Sequence, residues 1–273
     1  MNITILGCGY VGTALAQFWQ NTEHTLTLTT TTTEKIPTLQ KISPLVKIVK
    51  GSDLDSLISA LENQEVVVLT VGARAPNTHR QTYLETAKNL ILATQQIPTI
   101  KQIIYTSSSS VYGNQNGQDV DEETPLKPAN ENGKILAETE QLLIQAASEK
   151  LAVCILRLGG IYGPKREIQK IFSSAFGTTR PGTGKEITNW IHLDDIVGAI
   201  ECAQKNRLNG IYNLVNDAYL TTKELFDGLS ELHGLPYVSW DASVDSLRAY
   251  NSRVSNNKIK SAGYQLIHPQ TLS

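Results

Sequence analysis

Near the N-terminus, Gly7-Cys8-Gly9-Tyr10-Val11-Gly12 has the residue types and spacing to hold a pyrophosphate. In such a G-x-G-x-x-G turn the first glycine permits a tight reversal and the second lets the backbone approach the phosphates. The third lets the next helix pack close to the preceding strand. That helix presents free N–H groups and its positive dipole end to the anion. An apolar run at residues 3–6 and an amphipathic stretch at 13–20 flank the glycines, so strand, loop and helix occur in order. The pattern predicts a bound dinucleotide, with Gly7, Gly9, Tyr10, Val11 and Gly12 against its pyrophosphate.

Further cofactor contacts follow from the next strands. An acid at the end of the second strand would bind the ribose 2′-hydroxyl of NAD. This chain instead has Thr29-Thr30-Thr31-Thr32-Thr33. No carboxylate there repels a 2′-phosphate, and the hydroxyls of Thr30 and Thr31 can hydrogen-bond to one. The arginine that usually accommodates that phosphate is missing from the run, which also reads as a β-branched strand end and solvated turn. NADP is therefore preferred over NAD, by a narrow margin. Asp53 and Leu54, after the third strand, are placed near the adenine, and Asp53 also reads as a helix N-cap. Thr70 and Gly72 complete the expected set.

These residues need a scaffold, and the apolar pattern supplies one. Nearly continuous β-branched runs at 3–6, 25–29, 46–49, 66–71, 102–106 and 152–158 suit parallel strands covered on both faces. Amphipathic segments at 13–20, 83–95 and 134–149 alternate with them, which predicts an α/β fold, a Rossmann-type doubly wound parallel sheet. Residues 1–162 are assigned to this NAD(P)-binding domain. Residues 163–273 are assigned mainly to a smaller C-terminal substrate-binding part, with excursions returning to the sheet. There, helices are expected at 168–176, at 196–203 capped by Asp194 or Asp195, and from the Thr221-Thr222-Lys223-Glu224 capping box to about residue 232. A strand is expected at 210–215.

Composition narrows the partners. A formal charge of -2 gives no broad attraction to nucleic acid or anionic membrane. No run approaches the roughly 20 apolar residues that span a bilayer, and the N-terminus lacks a signal peptide's basic region. A cytoplasmic protein is expected. Cys8, Cys154 and Cys202 show no metal-ligand spacing, so reduced thiols and no metal site are expected.

With these motifs in place, the chain resembles the extended short-chain dehydrogenase/reductase family, in its NAD(P)-dependent nucleotide-sugar epimerase/dehydratase group. Tyr105-Thr106-Ser107-Ser108-Ser109-Ser110-Val111-Tyr112-Gly113 is similar to the family's serine motif before Val-Tyr-Gly. Arg157-Leu158-Gly159-Gly160-Ile161-Tyr162-Gly163-Pro164 and Trp190-Ile191-His192-Leu193-Asp194-Asp195 resemble its later segments, as do Tyr212-Asn213-Leu214 and Ser255-Asn256-Asn257-Lys258. Two departures mark an atypical member. The phosphate loop is G-x-G-x-x-G rather than G-x-x-G-x-x-G, and the catalytic Tyr-x-x-x-Lys reads Asn130-Glu131-Asn132-Gly133-Lys134.

The resemblance implies catalytic roles for Ser108, which positions the substrate oxygen, with Ser107 and Ser109 as alternatives, and for Lys134, which holds the nicotinamide ribose. It leaves Asn130 where a tyrosine would exchange the proton, on one helix face with Lys134. An amide cannot exchange that proton at neutral pH, and proton transfer contributes about 100–10,000-fold in rate. Tyr112, Tyr162, His192, Glu131 or water could substitute. Two functions follow: an oxidoreductase or epimerase acting on a nucleotide sugar or related carbonyl or hydroxyl compound, and a non-catalytic NAD(P)-binding regulatory or redox-sensing protein. Substrate contacts are expected from residues 70–80, 115–128 and 176–188, where Arg74, Arg166 and Arg180 could meet a phosphate. A homodimer through residues 83–95 is the assembly the resemblance implies.

Overall fold

The structure is a computed structural model that describes residues 1–73 and 75–272. Seven strands form a parallel sheet in the spatial order Gly210–Leu214, Ala152–Leu158, Gln102–Ser108, Val66–Leu69, Asn2–Leu6, Thr25–Thr30, Leu45–Ile48. Ile3 of the first strand stands opposite Leu26 on one side and Val66 on the other. Chain order reverses at that strand, so the carboxyl end of Asn2–Leu6 lies at a topological switch point, where open α/β sheets hold ligands.

Helical periodicity packs the sheet. The helix Tyr10–Trp19 buries Val11, Leu15, Ala16 and Trp19 along one stripe. The helix Leu54–Leu61, whose N-cap Asp53 the sequence offered but whose length it did not, buries Leu57, Ala60 and Leu61. The expected helix at 83–95 is regular only over Thr86–Gln96, preceded by a wider π turn at Arg80–Glu85. In that turn the Tyr83 hydroxyl accepts from Ala73 N at 3.2 Å, and in the regular helix beyond it the Asn89 amide donates to Gly51 O at 2.9 Å.

By contact density the chain forms two interleaved units. One comprises Met1–Ser107, Lys134–Arg157 and Val197–Tyr212; the other comprises Ser108–Gly133, Leu158–Ile196 and the residues from Asn213 on. The second unit holds three small parallel two-stranded sheets: Gly160–Tyr162 with Trp190–His192, Thr179–Pro181 with Ser239–Asp241, and Asn114–Val120 with Asn251–Val254. Its core includes an apolar cluster of Ile168, Trp190, Leu225 and Leu229.

Local signals set several element ends. The capping box at Thr221 and Glu224 opens the helix Thr222–His233, which Gly234 closes in the left-handed conformation. The helix expected at 168–176 stops at Ile171, because Phe172, Ala175 and Phe176 turn away to pack around Phe226 and Val238. Asp194 and Asp195 do not cap a helix starting at 196. The helix Leu193–Lys205 begins directly after the strand Trp190–His192, so both acids fall inside its first turn.

Candidate functional site

The phosphate loop is held shut from below. Gly7 has φ +102°, and a Cβ there would stand 3.0 Å from the Val71 backbone. Its N–H donates to Thr29 Oγ1 at 2.9 Å, while the Thr70 hydroxyl donates to Gly7 O at 2.9 Å. A Cβ on Gly12 would lie 2.5 Å from Gly7 O and 2.6 Å from Thr70 Oγ1, so the helix reaches this close only with glycine. Thr70 thus ties the loop to the sheet with its side chain. Val11 is buried.

Above the loop there is room. A Cβ on Gly9 or on Gly72 would meet nothing within 4 Å. A built floor, an open upper side and a following helix N-terminus led by Tyr10 fit a dinucleotide's pyrophosphate. Asp53 accepts from Ser56 N at 3.3 Å, which makes it the N-cap of Leu54–Leu61, and Leu54 is partly buried against the core. Thr30 is 4 % exposed and its hydroxyl accepts from Thr32 N at 3.2 Å, whereas Thr31 is exposed. Lys35, on the turn Thr33–Lys35, donates to Cys8 O at 3.2 Å. The sequence reading stopped at the threonines and missed this cation on the loop.

Burial pushes the Cys8 thiol up to about 11. Neutral thiol is favoured in the folded state, so this stabilisation is complete below pH 9 and is lost between about pH 9 and 11. The loss is at most roughly 3 kcal/mol. Chemical unfolding across that range should fall more steeply for the native protein than for Cys8→Ala. Parallel curves would contradict it.

The serine run divides by environment. Ser107 is buried, and its hydroxyl donates to Glu140 Oε1 at 2.5 Å. Glu140 also takes a two-pronged pairing from Arg157, with Nη2 at 2.8 Å and Nε at 3.0 Å from Oε2. That network engages the Ser107 hydroxyl, and Ser107 is not among the residues that line the cavity at Ser108. Ser108, Ser109 and Ser110 instead line a cavity of about 460 Å³ within the second unit. The Ser108 hydroxyl accepts from Ser110 N at 3.2 Å, which leaves its proton available.

The cavity wall is mainly aromatic and cationic. Trp190 and Trp240 line it, and both indole N–H groups are buried without a partner among the described residues. Arg180 lies over the Phe226 ring, 5.7 Å from its centre. Arg248, also lining, donates to Thr222 Oγ1 at 2.6 Å and to Tyr250 O at 3.1 Å. Burial lowers the pKa of its guanidinium, with Glu186 opposing and Arg180 adding to the shift. Of the expected substrate stretches, 176–188 contributes lining through Arg180, Pro181 and Glu186; 115–128 contributes none among the described residues. Arg166 donates to Ile161 O instead, and Arg74 lies outside the described residues.

Asn130 is not in a helix. It stands one residue before Glu131–Gln145 and caps it, its Oδ1 accepting from Gly133 N at 3.0 Å. The expected helical face shared with Lys134 is therefore absent, since Lys134 is exposed in the first turn and Asn130 is outside it. The Asn130 amide donates to the Tyr250 hydroxyl at 3.3 Å, and Tyr250 lines the cavity with Ser108. The sequence reading did not single out Tyr250, because 120 residues separate it from Asn130.

The proton donors proposed from sequence lie elsewhere. The Tyr112 hydroxyl is spent, 2.8 Å from both Asp121 O and Asn213 Oδ1. Tyr162 donates to Gln270 O at 3.1 Å, and burial raises its pKa. Glu131 is exposed at the helix start. Burial lowers the pKa of His192, and the neighbouring His268 lowers it further.

Residues 3–214 match the model of the NAD dependent epimerase/dehydratase family. The chain belongs to that family. It is 29% identical to Escherichia coli Protein YeeZ over 285 residues, covering 99% of this chain and 97% of YeeZ. Among solved structures, it is similar to Bacillus cereus UDP-glucuronic acid 4-epimerase in complex with UDP-glucuronic acid and NAD. That match has TM-score 0.78 and 18% identity, covering 96% of this chain and 92% of that one. The human epimerase family protein SDR39U1 with NADPH is similar at TM-score 0.79 and 18% identity, covering 99% and 96%. These likenesses agree with the α/β fold. No helix among the described residues is long and apolar enough to cross a membrane.

Proposed function

We propose that this family member is an NAD(P)-dependent oxidoreductase or epimerase acting on a nucleotide sugar or related carbonyl or hydroxyl compound. In this reading its proton is handled by Tyr250. The observation that carries it is one cavity lined by Ser108 and Tyr250, with the Asn130 amide on the Tyr250 oxygen. Gly7, Gly9 and Gly12 hold the cofactor's pyrophosphate and Lys134 its nicotinamide ribose. The bound nicotinamide would accept or return a hydride. Ser108 donates to the reacting oxygen, and Tyr250 gives or takes its proton. Asn130 stands in place of the family's tyrosine as a support: its amide donates to the phenol oxygen, so the phenol proton stays free for the substrate.

The two arginines that line the cavity favour an anionic substrate, which a nucleotide sugar is. The test incubates purified protein and NAD(P)(H) with a panel of nucleotide sugars and simple carbonyl compounds and follows substrate conversion as well as cofactor oxidation, because an epimerase returns the hydride and leaves no net cofactor change. Turnover with any supports the reading; tight NAD(P)H binding without any turnover replaces it with a non-catalytic binder.

Lys35 supports the choice of NADP, since a 2′-phosphate at the threonine turn would meet a cation. Lys35→Ala is expected to weaken NADPH binding roughly tenfold, the loss of about one charge-assisted bond, and to leave NADH unchanged. Fluorescence titration with both cofactors measures it. An equal effect on both would overturn the assignment.

A further inference from the structure

Outside the cavity, the fold gathers His192, Asp194 and His268 from distant parts of the chain. His192 ends a strand, Asp194 is in the first turn of the next helix, and His268 lies 74 residues beyond Asp194. Asp194 Oδ2 is 3.4 Å from His192 Nδ1 and 3.0 Å from His268 Nε2. The three donor atoms lie within 4.8 Å of one another. Bonds of about 2.0–2.1 Å to one shared ion, at tetrahedral to octahedral angles, require donors about 2.9–3.4 Å apart. Two of the three separations already meet that, and the third, between the donors of two imidazole rings whose centres are 3.8 Å apart, is within 4.8 Å.

The group is also held in place. Asp195 is fully buried and accepts from Ile267 N at 2.6 Å, His268 N at 3.0 Å and the Tyr264 hydroxyl at 2.8 Å. The backbone carrying His268 is thereby fixed to the helix turn carrying Asp194. The Asp194 amide donates to His192 Nδ1 at 3.2 Å, so this nitrogen carries the lone pair. An ion would take that lone pair in place of one neutral hydrogen bond, a small loss beside a coordinate bond. It would also replace the proton shared between His268 and Asp194. Two imidazoles and one carboxylate, with the Asp194 side open to water, suit a borderline ion with exchangeable waters, not calcium or magnesium.

We propose that His192, Asp194 and His268 form a site for a divalent transition ion of the zinc class, which ties the C-terminal segment to the helix Leu193–Lys205. This is independent of the catalytic reading. The test is calorimetric titration of chelator-stripped full-length protein with zinc chloride. One equivalent should bind and raise the melting temperature. Asp194→Asn and His268→Gln should each weaken binding at least about tenfold, and Cys202→Ser should not. In the unmutated protein, cobalt(II) should broaden the ring signals of His192 and His268 and spare those of His24, His79 and His233. No stoichiometric zinc binding, binding unchanged in both variants, or broadening at other histidines would overturn the site.

Discussion

Glu140→Ala should destabilise the protein by about 3–5 kcal/mol, the cost of breaking a buried ion pair by removing one member. Arg157 is 3 % exposed and Glu140 2 %, so neither charge can turn to water. Removing the carboxylate leaves the guanidinium in the core and takes the acceptor from the Ser107 hydroxyl. Against a typical domain stability of about 5–15 kcal/mol this is a large fraction. Urea unfolding measures it through the midpoint. Adding Arg157→Leu to Glu140→Ala should restore part of the loss, because the buried charge is gone. A single variant within 1 kcal/mol of the unmutated protein, roughly the value of a surface pair, would contradict the network.

Tyr250→Phe should lower kcat about 100–10,000-fold and leave NAD(P)H affinity unchanged. The lower bound is the typical worth of a positioned proton donor and the upper bound its practical limit. Phenylalanine keeps the ring in the cavity wall and removes only the hydroxyl that Asn130 meets. A structural role would leave the rate nearly intact. Asn130→Asp should also reduce turnover: aspartate can still cap the helix, but it loses the N–H that donates to Tyr250. Steady-state kinetics with a substrate found in the panel decide it. A Tyr250→Phe rate within threefold of the unmutated enzyme would return the proton to water or another side chain.

The outcomes separate along a physical line. Strand positions, the glycine loop and the capping box at Thr221 were legible because each depends on neighbours a few residues away. Parallel strands buried on both faces need continuous β-branched runs, and a turn with φ +102° needs Gly7. The helix Leu54–Leu61 was overlooked although its cap, Asp53, had been noticed. Asn130 was read on a helix and stands before it, because its side chain satisfies the Gly133 N–H better outside. Choosing between Ser107 and Ser108 needed the partner Glu140, 33 residues on.

From its sequence alone, then, this protein's α/β sheet and the turn at its glycine loop were determined, since local pattern and backbone sterics suffice for both. Only the tertiary structure decided which side chains meet. It brought Tyr250 to Asn130 and into the cavity that Ser108 lines, Lys35 to the loop, and His268 to His192 and Asp194. The meeting of Lys35 with the loop depends on the turn after the second strand, and the others on how loops of the second unit return through its small sheets and on where buried groups such as Asp195 find their partners. No spacing along the chain encodes them.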